Sequence, residues 1–377
     1  MILKRTGLLS ALLAIVLLCS CTFGFELPFS LSSSAPVVTT PSVSPTPSTP
    51  VSIVTNTELQ VVVLDVGQAD CILLKTGAHA MLIDAGNTGQ DKLVLGYLAL
   101  YGVNKLDYFV TTHPHADHIG TAAAVIRGMD SIGTILMPDT YTTTKTFENM
   151  LDAIEEKNVP ITIAVPGDRI TLGDAQIQIL APNGTGYTDL NDYSVVLRVE
   201  FGNSVFLFTG DAETKSENEQ LAQDFPLSAD VLKVGHHGSR TSSIPRYLEA
   251  VSPRYAVISC GEGNTYGHPH DETLAKLTAT GADIFRTDRD GTVVFTTDGE
   301  TITVGTARET GMPVTTPPVT LTAGPPFNAA SYIGNVNSLL FHLPTCSSLP
   351  KESNRAYFAS RDEAIEAGYT PCSICRP

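Results

Sequence analysis

The chain has 377 residues, 42% hydrophobic and 16% charged, a mean hydropathy of +0.10, a formal net charge of −16 and 7 cysteines. That apolar content excludes a wholly disordered chain and allows one large core with a small satellite module. The acidic balance argues against a basic nucleic-acid-coating protein, the cysteines are too few for a disulfide scaffold, and a single apolar run at the extreme N-terminus excludes a polytopic membrane protein.

In chain order, Lys4 and Arg5 precede an apolar run from Leu8 to Leu18. As a helix of about 11 residues it would reach about 16 Å, half a bilayer core. Leu18-Cys19-Ser20-Cys21 then resembles the lipobox of bacterial lipoproteins, with Cys21 as the lipidated residue. Residues 1–21 are expected to be a lipoprotein signal peptide that anchors the chain to a bacterial membrane, an ordinary secretory signal being the alternative. Both place the mature protein outside the cytoplasm. Residues 22–57, mostly Ser, Thr, Pro and Val from Ser32 onward, read as an extended tether. A second linker at 307–327, rich in Thr and Pro from Gly311 to Pro326, separates a body at 58–306 from a tail at 328–377. Residues 57–306 hold 16 Lys+Arg against 33 Asp+Glu, so the body carries the acidic excess and repels polyanions unless metals intervene.

Within the body, Leu59–Leu64, Cys71–Leu74 and Ala80–Ile83 read as strands, Lys92–Leu100 and Ala122–Arg127 as helices, and Tyr108–Val110 as a short buried strand. Ser194–Glu200 and Val205–Phe208 form a hairpin around Gly202-Asn203, followed by strands at Leu232–Val234, Tyr255–Ile258 and Val293–Thr297 and helices at Glu213–Leu221 and Ile244–Val251. This is an α/β pattern with strands enough for two sheets.

Residues 112–120 read Thr-His-Pro-His-Ala-Asp-His-Ile-Gly, between a strand and a helix. His113 and His115 can chelate one cation from an extended loop, and Asp117 with His118 can take a second. Imidazole with carboxylate suits zinc, and also manganese or iron.

His-x-His-x-Asp-His resembles the signature of the metallo-β-lactamase superfamily, which implies a four-layer αββα sandwich holding one or two divalent metals, zinc or manganese, at its edge. On that resemblance Asp84 in Leu-Ile-Asp-Ala-Gly stands behind the ligands, and Asp211 in Phe-Thr-Gly-Asp bridges two metals. His268 is a candidate for the last histidine ligand, and His236 and His237 supply a further ligand or a catalytic histidine. Leu-Asp-Val-Gly-Gln-Ala-Asp at 64–70, Asn-Asp-Tyr-Ser-Val-Val-Leu at 191–197, Gly-His-His-Gly-Ser at 235–239, Asn264–His268 and Thr287–Thr292 together resemble the hydrolase domain of ComEC-type DNA-uptake proteins. The chain departs from that pattern in three ways: Ala69 stands for the usual Gly, no histidine lies between His118 and His236, and the multi-span channel is absent. The superfamily's mid-chain ligand is therefore missing, and this chain cannot itself conduct DNA.

A bound divalent metal lowers the pKa of its water from about 15.7 towards about 7 and so generates hydroxide at neutral pH. Asp117, His236 and His237 are the candidate catalytic residues, the two histidines stabilising charge on phosphorus or protonating the leaving oxygen. Lys233 and Arg240 flank them as candidate phosphate contacts. Asp65 and Asp70 are expected to hold turns, His79 and His270 to have no special role, and Cys71 and Cys260 to be buried thiols in strands.

In the tail, His342 with Cys346 and Cys372 with Cys375 make two chelating pairs, which a structural zinc would close into a tetrahedral site. A disulfide is the alternative. So short a module needs such a staple. Residues 354–369 read as a strand and then a helix ended by Gly368, giving a small α+β unit. The tail resembles the zinc-binding module of the Ada DNA-repair protein, with His342 in place of the first cysteine, which disfavours methyl acceptance. Arg355, Arg361 and Arg376 are its candidate DNA contacts.

The sequence thus points to an extracytoplasmic, lipid-anchored, metal-dependent phosphodiesterase or nuclease acting on DNA. A cell-wall phosphodiester such as phosphorylcholine on teichoic acid is the alternative substrate. A surface lipoprotein that binds nucleic acid or a partner without turnover is the reading from another class. Oligomeric state is not legible.

Overall fold

Val, Ile, Leu and Phe recur at alternate positions through the body, a period that gives each strand two apolar faces or one. The computed structural model describes residues 57–310 and, in the tail, 332–336, 338–344, 346, 349–351, 354–358, 360–372 and 375. The expected signal peptide with Cys21, the tether up to residue 56, the Thr/Pro stretch at 311–326 and Arg376 lie outside the described residues. Among the described residues no helix is long and apolar enough to cross a membrane.

The body opens with β1 (Leu59–Val63), β2 (Ile72–Thr76), β3 (His79–Ile83), α1 (Asp91–Leu100), β4 (Lys105–Val110), α2 (Ala116–Ile119), α3 (Ala122–Gly128), β5 (Ser131–Met137), α4 (Lys145–Lys157) and β6 (Ile161–Ile163). It continues with β7 (Arg169–Leu172), β8 (Ala175–Ala181), β9 (Val196–Phe201), β10 (Ser204–Phe208), α5 (Thr214–Leu221), β11 (Val231–Lys233), α6 (Pro245–Val251), β12 (Tyr255–Ile258), α7 (Asp271–Thr280), β13 (Asp283–Arg286) and α8 (Thr287–Asp290). It closes with β14 (Val293–Thr297), β15 (Ile302–Thr306) and α9 (Ala307–Thr310).

One sheet has the order β15-β14-β1-β2-β3-β4-β5-β6 and the other β13-β12-β11-β10-β9-β8-β7. Alternation along the strands sorts the apolar side chains into three layers. Val61 and Val63 of β1 pack with Phe206, Phe208, Val257 and Phe295 between the sheets. Val62, Leu64 and Leu73 face the other way, onto Val94, Val125, Phe147 and Ile154 of the first helical layer. Leu207, Leu232 and Ala256 pack against Tyr247, Leu248 and Leu277 on the far side. Each fully buried large side chain contributes roughly 1.5–3 kcal/mol. The result is the αββα sandwich expected from the sequence.

Element ends shift where local chemistry intervenes. Glu213, expected inside a helix, is extended and precedes α5. The strand expected from Ser194 begins at Val196 because residues 190–193 form a tight helical turn. Cys71 and Cys260 are buried free thiols just outside β2 and β12 rather than within strands. Residues 131–181, for which the sequence reading specifies no element, form β5, α4 and β6 to β8. Helix α4 is bounded by Thr144, whose hydroxyl accepts from Phe147 N at 3.4 Å, and by Asn158 in the left-handed region.

The strands that carry the site run parallel to their neighbours: β3 beside β4, and β10, β11 and β12 in series. The loops leaving the carboxyl ends of β3, β4, β10 and β11 meet at one edge of the sandwich.

The tail forms β16 (Tyr332–Asn335), β17 (Leu340–His342), β18 (Arg355–Phe358), α10 (Arg361–Glu366) and β19 (Thr370–Pro371), with sheet order β18-β16-β17-β19. Among its described residues the buried apolar core is small, Phe341, Phe358, Ala364 and Tyr369, with Tyr332 and Ala356 packed against it. That is too little apolar burial to hold a fold without a further constraint.

Candidate active site

Strand β4 ends at Val110, and the next eight residues turn over the edge of both sheets. His113 and His118 are buried, while His115 and Asp117 are half-buried beside a cavity of about 320 Å³. Asp84 ends β3 with a φ of 57°, which turns its carboxylate back under the loop. There it accepts from Thr112 N at 2.8 Å and Thr112 Oγ1 at 2.7 Å and meets His118 Nδ1 at 2.7 Å. That contact fixes the His118 ring and leaves Nε2 facing Asp211 Oδ2 at 3.2 Å.

Asp211 follows β10 through Gly210. A Cβ at Gly210 (φ +51°) would lie 3.0 Å from Thr112 Cβ and 3.2 Å from Ser194 Cβ, so only glycine lets this turn approach the histidine loop. After β11, the backbone of His236 and His237 takes left-handed dihedrals, which sends the two rings in different directions. His237 Nε2 lies 3.4 Å from Asp117 Oδ2 and 3.6 Å from Asp211 Oδ2, while its Nδ1 contacts Ser259 O at 3.0 Å. One ligand atom from each of Asp117, His118, Asp211 and His237 falls within 4.8 Å of the others. A second group adjoins it: His113 Nε2 is 2.9 Å from His115 Nδ1 and 4.0 Å from Asp211 Oδ2.

His118 Nε2, His237 Nε2 and Asp211 Oδ1 are buried and make no hydrogen bond. Native interiors rarely leave such atoms without a hydrogen bond, and here their residues, with Asp117, bring one ligand atom each within 4.8 Å of the others, as a cation's donor set does. Behind them the buried carboxylates of Asp70 and Asp84 face the same His118, and the Lys233 ammonium stands 2.8 Å from Asp70 Oδ2. The titration behaviour reflects the same imbalance. Burial alone would lower the His118 imidazole, but the carboxylates of Asp211 and Asp84 raise it well above its ordinary value. Asp211 is held well below the carboxylate range: burial opposes this, and the charges of His237 and His118 outweigh it. Burial raises the Asp117 carboxyl, and the nearby His237 and His118 imidazoles more than offset it, so it lies below its ordinary value. A proton on His118 thus answers a demand for positive charge that a divalent metal would satisfy. The residues present fit one, with Asp117, His118, Asp211 and His237 as donors and His113 and His115 placed for another.

The structure therefore sorts the three later histidines. His237 joins the donor cluster. His236 does not: its Nδ1 meets Glu213 Oε1 at 2.8 Å and its Nε2 stands 3.7 Å from Asp211 Oδ2. His268, expected as the last ligand, lies outside the cluster and lines the cavity, its ring centroid 6.4 Å from that of His237. Burial and the neighbouring His236 and His237 lower its imidazole to about 4.

Two further expectations change. Lys233 cannot contact a substrate phosphate, being fully buried, paired with Asp70 and hydrogen-bonded to Val234 O. Arg240 is exposed but stands 3.5 Å from Glu272. Asp65 accepts from Gly67 N within its own turn, whereas Asp70 does more than hold a turn, neutralising Lys233 and standing 3.5 Å from His237 Nδ1. His79 pairs with Asp107, and His270 Nδ1 accepts from Arg240 N.

Sequence reasoning gave no role to Glu213, Asn191, Gln68 or Tyr266. Glu213 is held by Thr241 Oγ1 at 2.8 Å, Asn191 and Gln68 line the cavity, and Tyr266 stands at its mouth. Gln68, Asn191 and Tyr266 lie inside the motifs at 64–70, 191–197 and 264–268 without being singled out, and Glu213 stands two positions after Asp211. A wider cavity of about 650 Å³ opens beyond Glu213 but is lined by none of the donor residues.

In the tail, one ligand atom from each of His342, Cys346, Cys372 and Cys375 falls within 4.8 Å of the others, and none of these three cysteines is joined in a disulfide. His342 Nδ1 is 3.4 Å from Cys346 Sγ, and Leu343 N donates to Cys375 Sγ at 3.4 Å. A Cys3His set of this kind suits structural zinc. Arg355 donates to Pro350 O at 2.9 Å, and Arg361 opens α10.

Residues 64–262 match the family model for the metallo-beta-lactamase superfamily, and residues 321–377 that for the metal binding domain of Ada. ComE operon protein 3 of Bacillus subtilis (strain 168) is 30% identical over 258 residues, which are 64% of this chain and 33% of that protein. Competence protein ComA of Neisseria gonorrhoeae is 33% identical over 241 residues, 63% of this chain and 32% of that protein. The chain spans about a third of the length of these relatives. The solved metallo-beta-lactamase fold protein YhfI from Bacillus subtilis is 15% identical with a TM-score of 0.45, covering 66% of this chain and 100% of that one.

Proposed function

The chain belongs to the metallo-β-lactamase superfamily, carries an Ada-type metal-binding domain and is related to competence proteins, and from this we propose that it is a metal-dependent phosphodiesterase that cuts DNA outside the cytoplasm, tethered by a lipid on Cys21. The observation that carries the reading is the meeting of one ligand atom each from Asp117, His118, Asp211 and His237 within 4.8 Å of one another, beside an open cavity. The name of one relative, competence protein ComA, supports nucleic acid as the substrate.

A metal held by Asp117, His118, Asp211 and His237 would supply a hydroxide nucleophile and charge neutralisation at phosphorus. The chain's own residues do the rest. Asp84 and Thr112 hold His118 in one tautomer and one orientation, the role outer partners play in metal sites. Asp211 lies between the two histidine groups and can serve both. His236, outside the donor cluster and backed by Glu213, presents Nε2 to the cavity, where it can donate a proton to the leaving oxygen.

One observation favours a second reading. The residues lining the cavity include no lysine or arginine, and the body is acidic, which suits an ester with a cationic head such as phosphorylcholine.

The test is cleavage of end-labelled single- and double-stranded DNA by the purified chain with manganese or zinc, beside Asp117→Ala. Cutting that disappears in the variant supports the nuclease. No cutting of DNA by a metal-loaded protein excludes it and moves attention to phosphorylcholine esters, then to binding without turnover.

A further inference from the structure

A DNA-cutting site needs a way to hold its substrate, and this one has little cationic surface with which to do it. Among the ten residues that line the cavity there is no lysine or arginine. Of the two cations flanking the histidine turn, Lys233 is buried against Asp70 and Arg240 stands beside Glu272. Phosphate contacts, which supply most of the affinity of ordinary DNA-binding proteins, are therefore few.

What the cavity mouth offers instead is an aromatic face. Tyr266 is 67% exposed, its ring open to solvent. Its ring lies nearly parallel to that of His268, 5.7 Å between centroids and 28° between planes. The loop that carries it is held by Asn264, whose side chain donates to Gly261 O at 2.9 Å and accepts from His268 N at 3.0 Å. His268 is in turn positioned by Gln68, 3.3 Å from its Nδ1. The ring is thus pre-set beside the donor cluster, so little conformational freedom is lost when a planar group settles on it.

Resting on the nuclease reading above, the geometry points to Tyr266 as a stacking platform for a nucleobase, which makes single-stranded nucleic acid the substrate class. Every base has a π-face, so such a platform holds a strand without reading its sequence. A continuous duplex has those faces covered by neighbouring base pairs and reaches the platform only at an end or through a flipped base. Affinity carried by stacking and by the metal, rather than by lysine and arginine, also depends little on salt.

The experiment uses the full chain loaded with manganese and a single-stranded oligonucleotide with 2-aminopurine next to the scissile position. KM from initial rates and quenching of the 2-aminopurine are followed in wild type, Tyr266→Ala and Tyr266→Phe, across a salt series. Tyr266→Ala is expected to raise KM on the order of tenfold and abolish the quenching, because stacking of one base is worth roughly 5- to 150-fold. Tyr266→Phe, which keeps the face and loses the hydroxyl, should remain within about twofold of wild type. The slope of log affinity against log salt should be about −1 or shallower. An alanine variant that matches wild type, a phenylalanine variant that fails with it, or a steep salt dependence overturns the inference while leaving the nuclease intact. A metal-loaded wild type that neither binds nor cuts any oligonucleotide overturns the nuclease reading and this inference together.

Discussion

Asp84 shows how a residue that touches no substrate can decide whether a metal stays. Its carboxylate takes three contacts, from Thr112 N, Thr112 Oγ1 and His118 Nδ1. Asp84→Asn places an amide where those donors need an acceptor, and it should lower metal affinity about 10- to 100-fold, read by competition with a chromogenic chelator. Lys233 is the opposite kind of residue, a buried cation held by the Asp70 carboxylate and by Val234 O. Lys233→Met leaves that carboxylate uncompensated and should cost about 3–5 kcal/mol in urea unfolding, most of it recovered in Asp70→Asn/Lys233→Met. At this scale the sequence was legible where ligands share one loop, as His113, His115, Asp117 and His118 do. It was not legible where the choice lay among His236, His237 and His268. The left-handed turn at 236–237 directs one ring into the cluster and the other to Glu213, and no spacing rule announces that.

Among the elements, α5 and α6 are tied by one carboxylate. Glu217 on α5 accepts from Ser243 N and from Ile244 N at 2.9 Å, capping the start of α6 from outside. Burial lifts its carboxyl from the ordinary 4.5 to about 7, against the pull of those two amides. A raised folded value means the native chain holds this proton more tightly than the unfolded chain does. The stabilisation is therefore complete below pH 4.5 and fades as pH rises to about 7, on the order of 3 kcal/mol in all. Glu217→Gln keeps the shape without the titration, so its stability relative to wild type should rise between pH 5 and pH 8. Urea unfolding at the two values checks this, and parallel pH profiles would contradict it. Strands such as Tyr255–Ile258 and Val293–Thr297 were legible from their β-branched and aromatic runs, and the structure keeps those bounds. Strand β5 was hidden by Gly133 in its middle, whose absent side chain lets Asp107 O of the neighbouring strand approach within 2.5 Å of where a Cβ would stand.

For the molecule as a whole, two metal-donor groups stand on very different foundations. The body has three apolar layers, so its fold should persist without an ion at its edge. The tail rests on a small apolar core, so its structure depends on what His342, Cys346, Cys372 and Cys375 hold. Chelation with EDTA should raise amide exchange throughout residues 332–372 while the strands of the body keep their protection, as hydrogen exchange by mass spectrometry would read. The sandwich and the tail module were both legible because ligand-bearing motifs and apolar alternation agree along the chain. The crowding of carboxylates behind the site was not, since Asp70, Asp84 and Asp211 come from separate turns and only the packed sheets bring them together.

The account stands on the donor cluster being a metal centre, and the most direct measurement is metal stoichiometry. The full chain would be dialysed to equilibrium against zinc or manganese, and bound metal counted per chain beside Asp211→Ala. Two or three metals in wild type, falling to one in the variant, is the predicted result, the last ion being that of the tail. One metal per chain in both would contradict it, because the unpaired atoms of His118, His237 and Asp211 would then hold nothing.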